Sequence, residues 1–146
     1  MTPFELSITA GEADIDELGH VNNAVWVRWI QDMATSHWRA AAAPEHVDLY
    51  GWVVVRHEID YLRAVLPGET VAGRTWVGEA PKGARFDRHV EFLGEDGKLR
   101  VRAKTTWAIL DRETGRPLRV PAEVAAPFLA SPSEGWGGGP PKAVEG

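Results

Sequence analysis

The sequence predicts an α+β fold: a curled antiparallel sheet of about five strands wrapped around one long central helix. Three observations predict it. A single stretch, Ala24 to about Ala43, carries a helical apolar pattern long enough to lie across several strands. Four other stretches alternate apolar and polar residues at the two-residue period of a half-buried strand, and a fifth, Thr70 to Glu79, is rich in the strand-favouring Thr, Val and Trp. With only one long helical pattern, the crossovers of a doubly wound parallel sheet have nothing to be made from.

Phe4 to Ala10 alternates at period two and reads as the first strand. In the helix, Trp26, Trp29, Ile30, Met33 and His37 recur at three- and four-residue spacing, while Arg28, Asp32, Thr35 and Arg39 fall elsewhere, so one apolar stripe must be covered. A helix of roughly 17 residues spans about 25 Å, enough to cross a sheet. Pro44 ends the pattern, because the residue before a proline is biased away from the α region.

Trp52 to Leu62 is the next strand, with Val53, Val55, His57, Ile59 and Tyr61 on one face and Arg56, Glu58 and Asp60 on the other, closing at Pro67-Gly68. Thr70 to Glu79 follows, broken by Pro81-Lys82-Gly83. Arg85 to Leu93 alternates Phe86, Val90 and Phe92 with Asp87, His89 and Glu91, before a Gly94-Glu95-Asp96-Gly97 turn. Leu99, Val101, Ala103, Trp107 and Ile109 then face away from Arg100, Arg102, Lys104 and Thr106. These last three strands, joined by turns, predict an antiparallel meander. Asp111 to Pro117 is a loop, and Pro121 opens a short helix through Phe128. From Ser131 onward the Gly- and Pro-rich sequence cannot bury enough surface to offset its ordering entropy, so residues 1–130 are expected to form the domain and 131–146 a flexible tail.

A chain of 146 residues, 44% hydrophobic, is long enough for one domain with a substantial core and too short for two of ordinary size. A net charge of −5 with interspersed signs gives no electrostatic footprint for nucleic acid or an anionic membrane surface. No basic segment followed by an apolar run opens the chain and no stretch approaches the ~18 apolar residues of a membrane span, so a soluble, cytoplasmic protein is expected. The absence of cysteine excludes disulfides, thiolate zinc sites and a cysteine nucleophile. His20, His37, His46, His57 and His89 are scattered without a His-Glu-x-x-His pattern, so no metal is expected. A serine triad is disfavoured, since there is no Gly-x-Ser-x-Gly elbow and only Ser7 and Ser36 precede the tail.

The chemistry-bearing stretch is Asp14-Ile15-Asp16-Glu17-Leu18-Gly19-His20-Val21-Asn22-Asn23, which runs straight into the helix. The first backbone N–H groups of a helix lack intrahelical partners and carry partial positive charge. Asn22 or Asn23 is a good N-cap, and Gly19 lets the backbone turn. Such a loop can serve only to start a helix. Three features point instead to a site: Asp16 and His20 stand close in sequence, the cap needs far less polarity, and the helix beyond is too apolar for a surface element.

The string Asp16-x-x-Gly19-His20-Val21-Asn22-Asn23-x-x-Trp26-x-x-Trp29 resembles the signature of the hot-dog-fold thioesterases, in particular the 4-hydroxybenzoyl-CoA thioesterase-like and acyl-ACP thioesterase groups, over roughly residues 4–128. The resemblance implies the hot-dog fold, a homodimer or homotetramer with a continuous sheet and active sites between subunits, and hydrolysis of an acyl-CoA or acyl-ACP thioester. It implies no cofactor beyond the coenzyme A of the substrate. Trp26 stands where the family often has Tyr, and Gln31 where it often has Glu, so no role for a hydroxyl or a helix carboxylate carries over.

Asp16 then reads as general base or nucleophile. Backbone N–H groups near Asn22 to Val25 read as the oxyanion donors, with Val21, Asn22, Ala24 and Val25 as the substrate-binding residues of the loop and helix start. His20 orients water, polarises Asp16 or braces the loop, and Asn23 bonds substrate or water or caps the helix. Asp14 reads as structural. His57 is either a partner-facing contact or a satisfied core histidine. Lys82 and Arg85, with Arg100 and Arg102, either meet coenzyme A phosphates or are solvated. Trp26, Trp29 and Trp52 either line an acyl pocket or fill the core. Two rivals keep the same fold: a non-hydrolytic acyl-CoA or acyl-ACP binding module, and a hydratase or dehydratase acting on an enoyl or hydroxyacyl thioester.

Overall fold

The computed structural model describes residues 3–129; the tail expected from residue 131 onward lies outside the described residues. Its order is β1 (Phe4–Thr9), a 3-10 turn (Glu12–Asp14), α1 (Asn23–Ala41), α2 (Pro44–Leu49), β2 (Tyr50–Tyr61), β3 (Thr70–Trp76), β4 (Arg85–Leu93), β5 (Leu99–Asp111), α3 (Ala122–Ala125) and a closing 3-10 turn (Ala126–Phe128). The strands form one sheet in the order β1-β3-β4-β5-β2, every neighbour antiparallel. The expected meander is β3-β4-β5, and β1 and β2 are the two edges.

The curled sheet closes on α1, whose 19 residues bury Val25, Trp26, Trp29, Ile30, Met33, Ala34, His37 and Trp38. The first half of the stripe packs on Val71, Val90, Phe92, Val101 and Ala103 from the inner face of three strands. Trp38, nearer its C-terminal end, packs with Val77, Phe86 and Ile109 and with Val124 and Phe128 of the closing turns. The helix approaches β3 so closely at Gly73 that a Cβ there would lie 2.8 Å from Met33 Sδ and 2.9 Å from Phe92 Cε1. Glycine in this strand is therefore a packing requirement.

Three details depart from the sequence-based expectation. Pro44 ends α1 and also begins α2 at its first turn, where the missing N–H costs nothing. β3 ends at Trp76, three residues before Glu79. In β2 the register shifts between Val54 and Arg56. An inserted residue reverses the alternation, so Val53 and Val55, expected on the same face as His57 and Ile59, are 44% exposed; Tyr61, on the His57 side of the shift, is equally exposed at the end of the strand.

On the outer face, the buried Arg74 donates from Nε and Nη2 to Glu91 Oε1 at 3.1 and 2.8 Å, and Arg102 reaches Asp60 at 3.3 Å. Glu5, Arg74, Glu91, Arg102 and Asp60 are direct cross-strand partners in sequence, so one row of alternating charge crosses all five strands and reinforces the register.

Candidate active site

The loop before α1 is held by its own backbone. Ile15 and Val21 form an antiparallel bridge, Asp16 N donates to His20 O at 2.8 Å, and Gly19 N donates to Asp16 O at 3.0 Å. Gly19 takes φ +81°, the left-handed region that a Cβ disfavours. Inside this turn Asp16 Oδ1 accepts from the N–H groups of Leu18 (2.9 Å) and His20 (3.2 Å). One carboxylate oxygen is thus used to fix the loop. The other, Oδ2, has no protein donor among the described residues, and the side chain is half-buried.

Asp14 is fully committed to structure. Gly11 N donates to its Oδ2 and Arg28 Nη2 to its Oδ1, both at 2.9 Å, and its carbonyl accepts from Asn22 N at 2.9 Å. These bonds tie the loop to the first turns of α1.

At the helix start the structure selects between the two asparagines. Asn22 is the N-cap (φ −64°, ψ 141°), and its Oδ1 accepts from Ala24 N at 2.8 Å. The hydrogen bonds of the N–H groups from Val21 to Val25 narrow the expected donors to one. Val21 N goes to Val65 O at 2.9 Å, Asn22 N to Asp14 O, Ala24 N to the cap and Val25 N to Asn22 O at 2.9 Å. The N–H left without a protein acceptor among the described residues is that of Asn23, the first helical residue, which is exposed. Val21 and Val25 are buried and brace the loop from the core.

His20 is half-buried, and its imidazole makes no hydrogen bond among the described residues; its backbone is bonded to Asp16 at both N and O. His57 Nδ1 lies 2.9 Å from Thr105 Oγ1 on the inner face, and burial pushes its pKa down. Trp26 and Trp29 meet edge to face at 5.0 Å and pack on Phe92 in the core.

The four basic residues are not gathered at Asp16. Lys82 and Arg85 are exposed and close the tight β3–β4 turn around Gly83. That turn leads into Phe86, which packs with Trp38, so it belongs to the far end of a helix that is about 28 Å long at 19 residues. Within one chain, Lys82 and Arg85 stand away from the loop. Arg100 is buried and engaged with Asp96 at 3.1 Å and Glu69 at 3.5 Å, and Arg102 is paired with Asp60.

One buried polar cluster escaped the sequence reading. Arg88 Nη1 donates to His37 Nδ1 at 2.9 Å and to Thr75 Oγ1 at 3.0 Å. Phe4 stacks on His37 with ring centres 5.0 Å apart, and Phe128 meets it edge-on at 5.0 Å. The sequence signal was Arg88 itself, which falls between Phe86 and Val90 on the inward period of β4.

Burial, with Arg88 beside it, lowers the His37 pKa from 6.5 to about 3, so the imidazole is neutral in the fold. An unfolded chain takes up the proton that the folded chain refuses. Stability from this group is therefore complete above pH 6.5 and is lost as pH falls toward about 3. Over that window the unfolding free energy is expected to fall by up to about 1.4 kcal/mol per pH unit, one proton's worth. Thermal melts across the window should show a shallower slope in His37→Asn, which keeps an acceptor but cannot titrate. An unchanged slope would remove His37 from the acid response.

Among the described residues no cluster of three or more His, Asp or Glu side chains is placed to hold a metal ion, and no helix is long and apolar enough to cross a membrane.

Comparison with known proteins adds three findings. The family model of the thioesterase-like superfamily matches residues 11–128. A chloroplastic acyl-[acyl-carrier-protein] hydrolase of Cuphea viscosissima is 30% identical over 73 residues, a match covering 50% of this chain and only 18% of that protein. Two solved structures share the architecture. A probable thioesterase from Bartonella henselae has a TM-score of 0.69 at 23% identity, covering 82% of this chain and 98% of that one. A Staphylococcus aureus protein solved in complex with CoA has a TM-score of 0.79 at 15% identity, covering 99% and 93%. The curled sheet around one helix is the hot-dog fold.

Proposed function

The chain belongs to the thioesterase-like superfamily, and on that premise we propose that it is an acyl-CoA thioesterase, hydrolysing an acyl thioester to the free acid and a thiol. Family membership supports thioester hydrolysis in general. The observation that carries the finer reading is that the loop and the helix it starts each leave one group unused: the Asp16 Oδ2 acceptor and the Asn23 N–H donor.

In this reading the thioester carbonyl oxygen accepts from Asn23 N–H. Asp16 takes a proton from water, the hydroxide adds to the carbonyl carbon, and the oxyanion that forms is held at the positive end of the helix. The tetrahedral intermediate then collapses, breaking the C–S bond and expelling the thiolate, which takes back the proton held by Asp16. Asp16 attacking the carbon directly breaks the C–S bond and expels the thiolate, leaving an acyl anhydride that water opens to the free acid and the regenerated carboxylate, with the same groups in the same places. His20 is a bracing residue, since its backbone closes the loop that aims Asp16.

A homodimer paired through β2, or a tetramer containing that dimer, completes the proposal. β2 is a 12-residue edge strand, and Val53, Val55 and Tyr61 on it and Leu62 beside it are 44–45% exposed. Pairing such an edge with its own copy covers both the open hydrogen-bond groups and the apolar side chains. A two-fold axis reverses one chain against the other, which carries the Lys82–Arg85 end of one copy toward the α1 N-terminus of its partner. The measured mass should be that of a dimer or tetramer. Lysine at both Val53 and Val55 should shift it to monomer and reduce turnover at least tenfold; a monomeric wild type would overturn this assembly.

The test of function is thiol release from short, long and aromatic acyl-CoAs. Turnover supports the proposal. Release only from carrier-protein thioesters would make the chain an acyl-ACP hydrolase. Binding without release would make it a binding module, and a change in enoyl absorbance a hydratase.

A further inference from the structure

A cavity of about 170 Å³ lies beside the second half of α1, away from the Asp16 loop of the same chain. Its walls are aromatic: Trp38, Trp52, Phe86, Trp107 and Phe128. Arg88 lines it as well and is only 8% exposed.

The polar inventory of this space is one-sided. Arg88 spends Nη1 on two neutral groups, His37 Nδ1 and Thr75 Oγ1. Its Nε and Nη2 have no acceptor among the described residues, and no carboxylate there stands at ion-pair distance. Asp87, which also lines the cavity, accepts from Thr106 Oγ1 at 2.7 Å and faces Lys104 Nζ at 3.7 Å. The indole Nε1 atoms of Trp52 and Trp107 are buried without an acceptor. Burial lowers the Arg88 pKa to about 10 and that of His37 to about 3, so near neutrality the pair carries one positive charge. Two further cations, Arg39 and Arg112, are exposed members of the lining.

A buried guanidinium without a counter-charge and buried donors without acceptors are each costly, and native chains retain them where something supplies the missing partner. Apart from the exposed Thr35 hydroxyl, which both donates and accepts, every unused side-chain group here is a donor. The complement is therefore an acceptor-only anion, and the planar, forked guanidinium matches a carboxylate. The aromatic walls ask for an apolar body, and a cavity of about 150 Å³ is known to accept benzene.

We propose that this cavity binds a carboxylate carried on a small apolar body of about benzene size, the carboxylate meeting Arg88 and the body lying among the tryptophans. The inference does not depend on thioester hydrolysis. Two sources present this chemistry: a free carboxylic acid, such as a hydrolase releases, and the far end of an ω-carboxyacyl thioester.

The experiment uses the wild-type chain, with phenylacetate and hexanoate titrated against phenylacetamide and hexanamide, read by calorimetry and by tryptophan fluorescence. Each acid should bind at least tenfold more tightly than its amide. Arg88→Met, which removes the buried charge and keeps an apolar side chain, should abolish that preference. Equal binding of acid and amide, or no binding of either acid at millimolar concentration, overturns the proposal without any variant being made. Adipoyl-CoA against hexanoyl-CoA then separates the sources. A KM at least tenfold lower for adipoyl-CoA assigns the site to the acyl group, and equal KM values, with the free acid still bound, assign it to the free acid.

Discussion

Asp16→Asn should lower kcat by about 10³-fold, within the range that removal of a positioned general base produces, while leaving folding and oligomeric state unchanged. The geometry explains why the two effects separate. Asp16 Oδ1 accepts from Leu18 N and His20 N, and an asparagine carbonyl oxygen can accept both bonds. The amide nitrogen then falls where Oδ2 was, a position without a protein donor among the described residues. The loop keeps its frame and loses its proton acceptor. Turnover and thermal melting measured together on the same preparation decide the matter. A folded variant with unchanged kcat would remove Asp16 from both the general-base and the anhydride routes.

How far the sequence could be read depends on whether the signal was local. β4 and β5 were legible because each packs one face on α1, which puts apolar residues at every second position over most of their length. The stop of α1 was legible because proline acts within a residue. The face of β2 was not, because a bulge leaves no mark in the apolar pattern, and Val53 and Val55 look as suited to a core as Ile59. The candidate site shows the same division. Residue types named the loop and the helix start, and Asn22 and Asn23 are equivalent as caps by chemistry. Which N–H stays unused is a matter of tertiary accounting: Val21 N is taken by Val65, a residue 44 positions away, and Asn22 N by Asp14. Arg88 was missed for a further reason. A charged residue on an inward strand position reads as a lapse in alternation until His37 and Thr75, from two other elements, are seen to meet it.

Asn23→Pro tests that accounting directly and should reduce kcat by about 10²- to 10³-fold, the cost of losing one oxyanion donor. Proline removes the one N–H that the site is proposed to use. It is well tolerated at the first helical position, where the donor has no intrahelical acceptor to lose. The residue before it must be extended, and Asn22, at φ −64° and ψ 141°, already is. Helix stability should therefore hold, which circular dichroism and the thermal midpoint will show. Asn23→Ala is the necessary companion, because it deletes the side chain and keeps the N–H. Near-wild-type turnover in the alanine variant with a large loss in the proline variant assigns the role to the backbone. Equal losses in both assign it to the carboxamide, and an active proline variant places the oxyanion donor elsewhere. Should Asp16 and Asn23 N–H act on one tetrahedral intermediate, the double variant combining Asp16→Asn with Asn23→Pro will lose less than the product of the two single effects, since groups acting as a unit are not additive.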